Sequence, residues 1–357
     1  MKPSPVPREG SRLRRGALVL LTALSVTALA GCGSDSTPVK ALAADAALPD
    51  DVADGTVLRL GIPDAEVALE TSGLIDEVEG YRIEWANISG GPQSLEAFRA
   101  GALDASSVAE IPPLFATWTD TPVKIFAVSE NPDPLDNPIY ELGVAPGVEV
   151  GDLADLKGKK IAYSPGQAQG ALVLKALQKA GLAQDDVELV ELQSVNDTYV
   201  NALGSKQVDV APLGGTLLTS YLAKYGPDGG TSIRTGIRDD ASVLYGPAEV
   251  FEDADKAAAL KDFVRLWVKA RQWVKDHPDE FAQAYYVEHE GLTLEDGKRL
   301  LATSANRDVI GSWDDFIARQ QETADLLSSE QGHPELDVTT LYDRRYEQVV
   351  ADALGGS

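Results

Sequence analysis

KKIAYSPGQAQGALVLKALQKAGLAQDDVELVEL, residues 159–192, carries the plan of the fold. Lys160–Tyr163 reads as a short strand that Ser164, Pro165 and Gly166 break. From Ala168 to Ala180 apolar residues recur at helical spacing, and Gly181 stops the run. Val187–Leu192 returns to strand. Downstream the alternation continues with a helix over Asp197–Gly204, a strand over Val208–Ala211 and a helix from about Thr216 to Lys224. Upstream lie strands at Val57–Ile62, Tyr81–Trp85, Leu103–Val108 and Val123–Val128, with helices at Pro92–Ala100 and from Pro112 to about Trp118. Alternation at this spacing predicts an α/β protein with parallel sheets covered by helices on both faces.

A weak internal repeat points to two lobes of similar plan. Leu103-Asp104 and Val208-Asp209 each follow a helix end and open a short strand, and prolines (Pro112 and Pro113, then Pro212) stand near the next helix start. The last third is helical: within Asp255–Lys275, Leu260, Phe263, Val264, Trp267, Ala270 and Val274 form one apolar face. Pro278 restarts a helix at the tolerated first position, and Thr293/Asp296 and Ser312/Asp315 read as capping boxes. These helices are expected to buttress the first lobe.

The N-terminus carries a different signal. Lys2, Arg8, Arg12, Arg14 and Arg15 make a basic segment, and Ala17–Ala30 runs without charge, too short to span a bilayer but suited to a signal peptide. Leu29-Ala30-Gly31-Cys32 follows and closely resembles a bacterial lipobox, with Cys32 as the acylated residue. Cleavage there leaves 326 residues, 26 bases and 55 acids, a net charge of −29, and no second cysteine for a disulfide. So acidic a surface argues against nucleic-acid binding and leaves membrane attachment to the lipid. Residues 33–55 read as a flexible tether with a reach of about 25 Å.

The order and spacing of several segments resemble one family. Gly90-Gly91-Pro92-Gln93, Leu95-Glu96-Ala97, Gly101-Ala102-Leu103-Asp104, Glu110-Ile111-Pro112-Pro113-Leu114-Phe115-Ala116, Asp155–Ala162, the helix Ala168–Leu182, Val208–Pro212 and His277-Pro278-Asp279-Glu280 are similar to solute-binding proteins for aliphatic sulfonates, in the group that includes taurine and nitrate binders of ABC importers. The resemblance implies a two-lobe type 2 periplasmic-binding-protein fold, with the helical C-terminal third packed on lobe one. It further implies a ligand held between the lobes and chain crossings near Tyr140–Ala145 and Ser242–Pro247. The division expected is a signal peptide over 1–31, a tether over 32–55, lobe one from 56–142 plus 245–357, and lobe two over 143–244. The implied partners are a small solute, an ABC permease and its ATPase; the protein is expected to be an extracytoplasmic, lipid-anchored monomer with no cofactor or metal.

Helix N-termini can hold an anion through unpaired N–H groups. Candidate contacts are Glu110, Ile111 and Pro112 in lobe one, and Ser164, Gly166, Gln167, Ala168, Gln169, Leu213, Gly214 and Gly215 in lobe two. Glu110 either caps its helix or recognises a cationic end of the ligand, and Asp64 raises the same question. Tyr245 and Tyr163 pack either on a ligand tail or in the core. The expected solute is an alkanesulfonate-like anion, with taurine, nitrate, a thiamine-precursor pyrimidine or a sensor role as alternatives. An enzyme is not expected: there is no Gly-x-Ser-x-Gly and no Walker loop, and His277, His289 and His333 lack zinc-hydrolase spacing and are expected on solvated faces.

Overall fold

Residues 40–88, 90–303 and 305–355 are described by a computed structural model of the chain; the signal-like segment and Cys32 lie outside them. The strands are β1 (Thr56–Gly61), β2 (Tyr81–Trp85), β3 (Ala105–Ala109), β4 (Val123–Glu130), β5 (Tyr140–Val144), β6 (Lys160–Tyr163), β7 (Glu188–Glu191), β8 (Val210–Gly214), β9 (Thr231–Ile233), β10 (Ser242–Pro247) and β11 (Asp308–Val309). They form two sheets, ordered β11-β4-β10-β3-β1-β2 and β7-β6-β8-β5-β9.

Both sheets are mixed, where the sequence pattern predicted parallel ones. β1 pairs in parallel with β2 and β3, and β6 with β7 and β8. β10 runs antiparallel to β3 and β4, and β5 antiparallel to β8 and β9. The two exceptions follow the segments that pass between sheets, residues 131–139 and 234–241, a few residues before the crossings expected from the resemblance. A strand laid down by a crossover helix returns parallel to its neighbour, whereas β5 and β10 enter from the facing sheet and so run the other way.

The repeated aspartates have a common task. Asp104 Oδ2 accepts the Arg59 N–H at 2.9 Å while the Asp104 N–H bonds the Arg59 carbonyl at 2.8 Å. Asp209 repeats the pattern on Lys160, with both distances 2.8 Å. Each aspartate thereby locks a strand start to the neighbouring parallel strand. Asp104 is also buried and ion-paired with Lys256, while Asp209 is half-buried. Removing one partner of a buried pair strands the other. Asp104→Ala is therefore expected to cost about 3 kcal/mol and Asp209→Ala about 1 kcal/mol, read from urea unfolding.

The helix Ala168–Ala180 has the bounds its pattern indicated, and Gly181 closes it at φ 69° with its N–H on the Gln178 carbonyl. Helix Ala254–Asp276 starts on the Asp253 carboxylate, which accepts the Asp255 and Lys256 N–H groups. It buries the predicted apolar face, and it packs on β1. Thr293 caps as expected, accepting the Asp296 N–H at 3.1 Å. Ser312 does not: the helix Asp314–Gln331 begins after Trp313, whose fully buried ring fixes the entry and whose N–H bonds Glu347.

The tether expected over 33–55 is corrected from residue 40 onward. Ala41 bridges Asp253, Leu42 N–H bonds the Glu252 carbonyl at 2.7 Å, and Arg345 reaches the carbonyls of Ala43 and Ala46. Leu48 and Val52 pack against the main core. Those backbone bonds and two apolar anchors hold the segment on the first sheet's helical layer.

Candidate functional site

The C-terminal ends of the parallel strands in both sheets face one cleft, where ligands of open α/β folds sit. A cavity of about 250 Å³ lies there, between the end of β3 and the start of β10 on one side and the start of helix Ala168–Ala180 on the other. Ser107, Ser242, Tyr140, Asp239 and Arg307 supply its polar groups. As the first two residues of their helix, Ala168 and Gln169 have N–H groups with no carbonyl one turn back to accept them. Both residues line the cavity.

Close backbone approach shapes this end. A Cβ on Gly170 would lie 2.2 Å from the Ser164 carbonyl oxygen, so only glycine lets the helix start on top of the β6 turn. A Cβ on Gly91 would lie 2.6 Å from the Pro112 ring. The Gln167 side chain closes the turn, donating to the Ser194 carbonyl at 3.0 Å and accepting the Ser194 N–H at 2.8 Å.

Arg307 is the charge that distinguishes the cleft. In a chain with 56 acidic residues, its guanidinium makes no ion pair with any described residue, and its Nε–H is buried without a partner. A second cavity, also about 250 Å³, adjoins the first at Ser107 and Arg307. Asp64 lies there, 3.5 Å from Arg271. Burial pulls the Arg271 guanidinium pKa down, opposed by Asp64.

Asp239 ties the two crossing segments together, accepting the Ile139 and Tyr140 N–H groups at 3.2 and 3.1 Å. Burial pushes its carboxyl up to about 7 despite those bonds. The unfolded carboxyl, near 3.8, ionises first as pH rises, so the fold loses stability between about pH 4 and 7. Asp239→Asn is expected to abolish that slope: the parent should lose roughly 2–4 kcal/mol between pH 4 and pH 8 and the variant should not, while one of the two backbone N–H bonds is lost at both pH values. Urea unfolding of both proteins at the two pH values reads the difference.

The candidates named from sequence are distributed unevenly. Pro112, Gln167, Ala168 and Gln169 line the first cavity and Asp64 the second. Glu110 occupies the N-cap position yet its side chain caps nothing, and it faces away from the first cavity into a separate hollow of about 690 Å³. There it pairs with Lys175 at 3.0 Å, a bond from the first sheet's layer to the second's. Capping is lost because Pro112 and Pro113 remove two of the N–H groups a cap would satisfy. Ile111, Leu213 and Tyr245 are core residues; Tyr245 meets Phe98 edge-on at 4.9 Å. Ser164 is buried beneath the turn and lines neither cavity. Gly166, at φ 83°, passes the Phe115 ring. Gly214 and Gly215 begin the helix Gly215–Tyr225 but line neither cavity; a Cβ on Gly214 would lie 2.7 Å from the Ile139 carbonyl oxygen. Of the histidines, His333 stacks on Trp118 at 4.3 Å and His277 on Trp273 at 5.0 Å. His289 is exposed, as expected, and stacks on Tyr285 at the edge of the second cavity.

Sequence reasoning missed Arg307, Asp239 and Arg271. Arg271 left a signal: it falls four residues after Trp267 and three before Val274, a cation inside an apolar stripe. Arg307 and Asp239 sit in irregular segments with no period to mark them.

The two mixed sheets and the cleft between them define the class: an α/β chain with the two-lobe, type 2 periplasmic-binding-protein fold. The alkanesulfonate-binding protein SsuA of Xanthomonas axonopodis pv. citri, bound to MOPS, superposes with a TM-score of 0.69 at 21% identity, over 81% of this chain and 99% of that one. The model of the NMT1/THI5-like family matches residues 116–281. A candidate aliphatic sulfonates-binding protein of Bacillus subtilis strain 168 is 25% identical over 324 residues, 88% of this chain and 90% of that protein. Its counterpart in Escherichia coli K12 is 36% identical over 107 residues, so the match spans about a third of that relative's length (32%). The chain is thus similar in sequence to solute-binding proteins of this aliphatic sulfonate group. The same fold also houses the desulfurization enzyme DSZB, with a TM-score of 0.58 at 17% identity over 84% of this chain and 99% of that one.

Proposed function

We propose that this protein is the solute receptor of an ABC importer and that it binds a small organic anion, a sulfonate first, in the interlobe cleft. The carrying observation is Arg307, a guanidinium without an ion-pair partner among the described residues, set in the same cavity as the open start of helix Ala168–Ala180. A sulfonate has three acceptor oxygens on one centre, enough to meet the guanidinium fork and two backbone N–H groups together. Asp239 pins the two crossing segments, which is where a hinge must bend for the lobes to close on the solute.

The lobes of this reading are residues 56–142 with 245–357, and 143–244. Cys32 carries the lipid, the folded body sits outside the cytoplasm as a monomer, and a permease with its ATPase takes the solute. Binding rather than catalysis fits the cleft's two serines, Ser107 and Ser242, whose hydroxyls lie 3.3 Å apart and bond each other.

Thermal unfolding of the mature chain, with Cys32 removed, tests the reading against alkanesulfonates, taurine, nitrate, sulfate and pyrimidines. A ligand at a hundred times its dissociation constant adds about 2.7 kcal/mol, a rise of roughly 4 °C at this size. A selective rise with sulfonates supports the reading; a rise with nitrate or a pyrimidine alone replaces the sulfonate.

A further inference from the structure

The second cavity is as large as the first and is built differently. Its wall is the π-helical segment Ala282–His289, where Tyr285 stacks on Phe281 and on His289, both at 5.4 Å. π-Helical turns are rare and concentrate at functional sites. Arg271 lies opposite in the lining, and its Nε–H, like that of Arg307, is buried without an acceptor among the described residues. A buried donor left unmade is costly, and the cost is recovered by whatever brings an acceptor.

The charges restrict what that can be. Arg271 is already matched by Asp64, and Glu290, 3.2 Å from His289, adds a second carboxylate to the same lining. A ligand with a second anionic end would meet two carboxylates there. A neutral oxygen acceptor on a flat group meets the Arg271 Nε–H donor and the aromatic wall without that repulsion.

Resting on the sulfonate reading of the first cavity, we infer that the cleft is bipartite and selects a monoanionic sulfonate whose tail is ring-sized, uncharged and oxygen-bearing. The head sits at Arg307 and the helix start. The tail passes Ser107, which lines both cavities, and ends between Arg271 and Tyr285.

Calorimetric titration of the mature chain with ethanesulfonate, benzenesulfonate, 4-methoxybenzenesulfonate and 4-sulfobenzoate tests this. The methoxy compound is expected to bind about tenfold tighter than ethanesulfonate, and the dianionic sulfobenzoate more weakly than benzenesulfonate. In Arg271→Met, and in Ala305→Leu, which fills the second cavity without touching a charge, the preference for the methoxy compound over ethanesulfonate should fall to within about threefold. Ethanesulfonate binding as tightly as the ring compounds would overturn the bipartite cleft while leaving the sulfonate receptor standing. Equal affinity for benzenesulfonate and its methoxy derivative would overturn the acceptor requirement. Failure of all four to bind would remove the sulfonate head and this inference together.

Discussion

Arg307→Met is expected to lower affinity for the solute by about 30- to 100-fold while leaving the unliganded protein as stable as the parent or slightly more so. A hydrogen bond to a charged group contributes about 1.5–3 kcal/mol, and the guanidinium can offer two to one sulfonate. Stability should hold because the side chain makes no ion pair with any described residue and its Nε–H is buried unpartnered. Methionine removes that orphan donor and keeps the bulk. Arg307→Lys should fall between, since an ammonium retains the charge and loses the planar fork. Titration calorimetry gives the affinities and urea unfolding the stabilities. A variant that binds like the parent would show that the cleft cation is not the anion's seat.

Gly170→Ala carries the second large effect, and it acts on fold and site together. The added carbon would sit 2.2 Å from the Ser164 carbonyl oxygen and 2.7 Å from its carbon, both backbone atoms that no rotamer change can move. The helix start must lift off the β6 turn, at a cost of about 1–3 kcal/mol, which lowers the midpoint by roughly 1.5–4.5 °C in a chain of this size. Lifting it also displaces the Ala168 and Gln169 N–H groups, so affinity should drop by about tenfold or more. Gly181→Ala at the other end of the helix separates the two consequences. Its φ of 69° strains alanine, but nothing lies within 4 Å of the added carbon. It should cost about 1 kcal/mol and leave ligand affinity alone.

The elements legible in the sequence were those whose signal is local. Lys160–Tyr163 and Ala168–Ala180 came out with their observed bounds because a glycine-bearing turn opens the helix and Gly181 closes it. Asp104 and Asp209 stood out as a repeated pair, and the structure gives both the same two bonds. What failed depends on partners distant in the chain. Glu110 read as either a cap or a ligand contact because nothing near it in sequence announces Lys175, 65 residues on. Residues 40–55 read as a tether because their anchors, Asp253 and Arg345, lie far downstream. The direction of β5 and β10 follows from chain crossings, which leave no hydrophobic period. The expected cleft lies at the strand ends, and the side chains that give the cavities there their charge sit in irregular segments or within the apolar face of a long helix.

A crystal structure of the mature protein with the tightest-binding sulfonate tests the central claim most directly. The account predicts one molecule between the sheets, its sulfonate oxygens within hydrogen-bond distance of the Arg307 guanidinium and the Ala168 and Gln169 N–H groups. A sulfonate seated instead in the 690 Å³ hollow beside Glu110 and Arg319, with the cleft between the sheets occupied only by solvent, would contradict it.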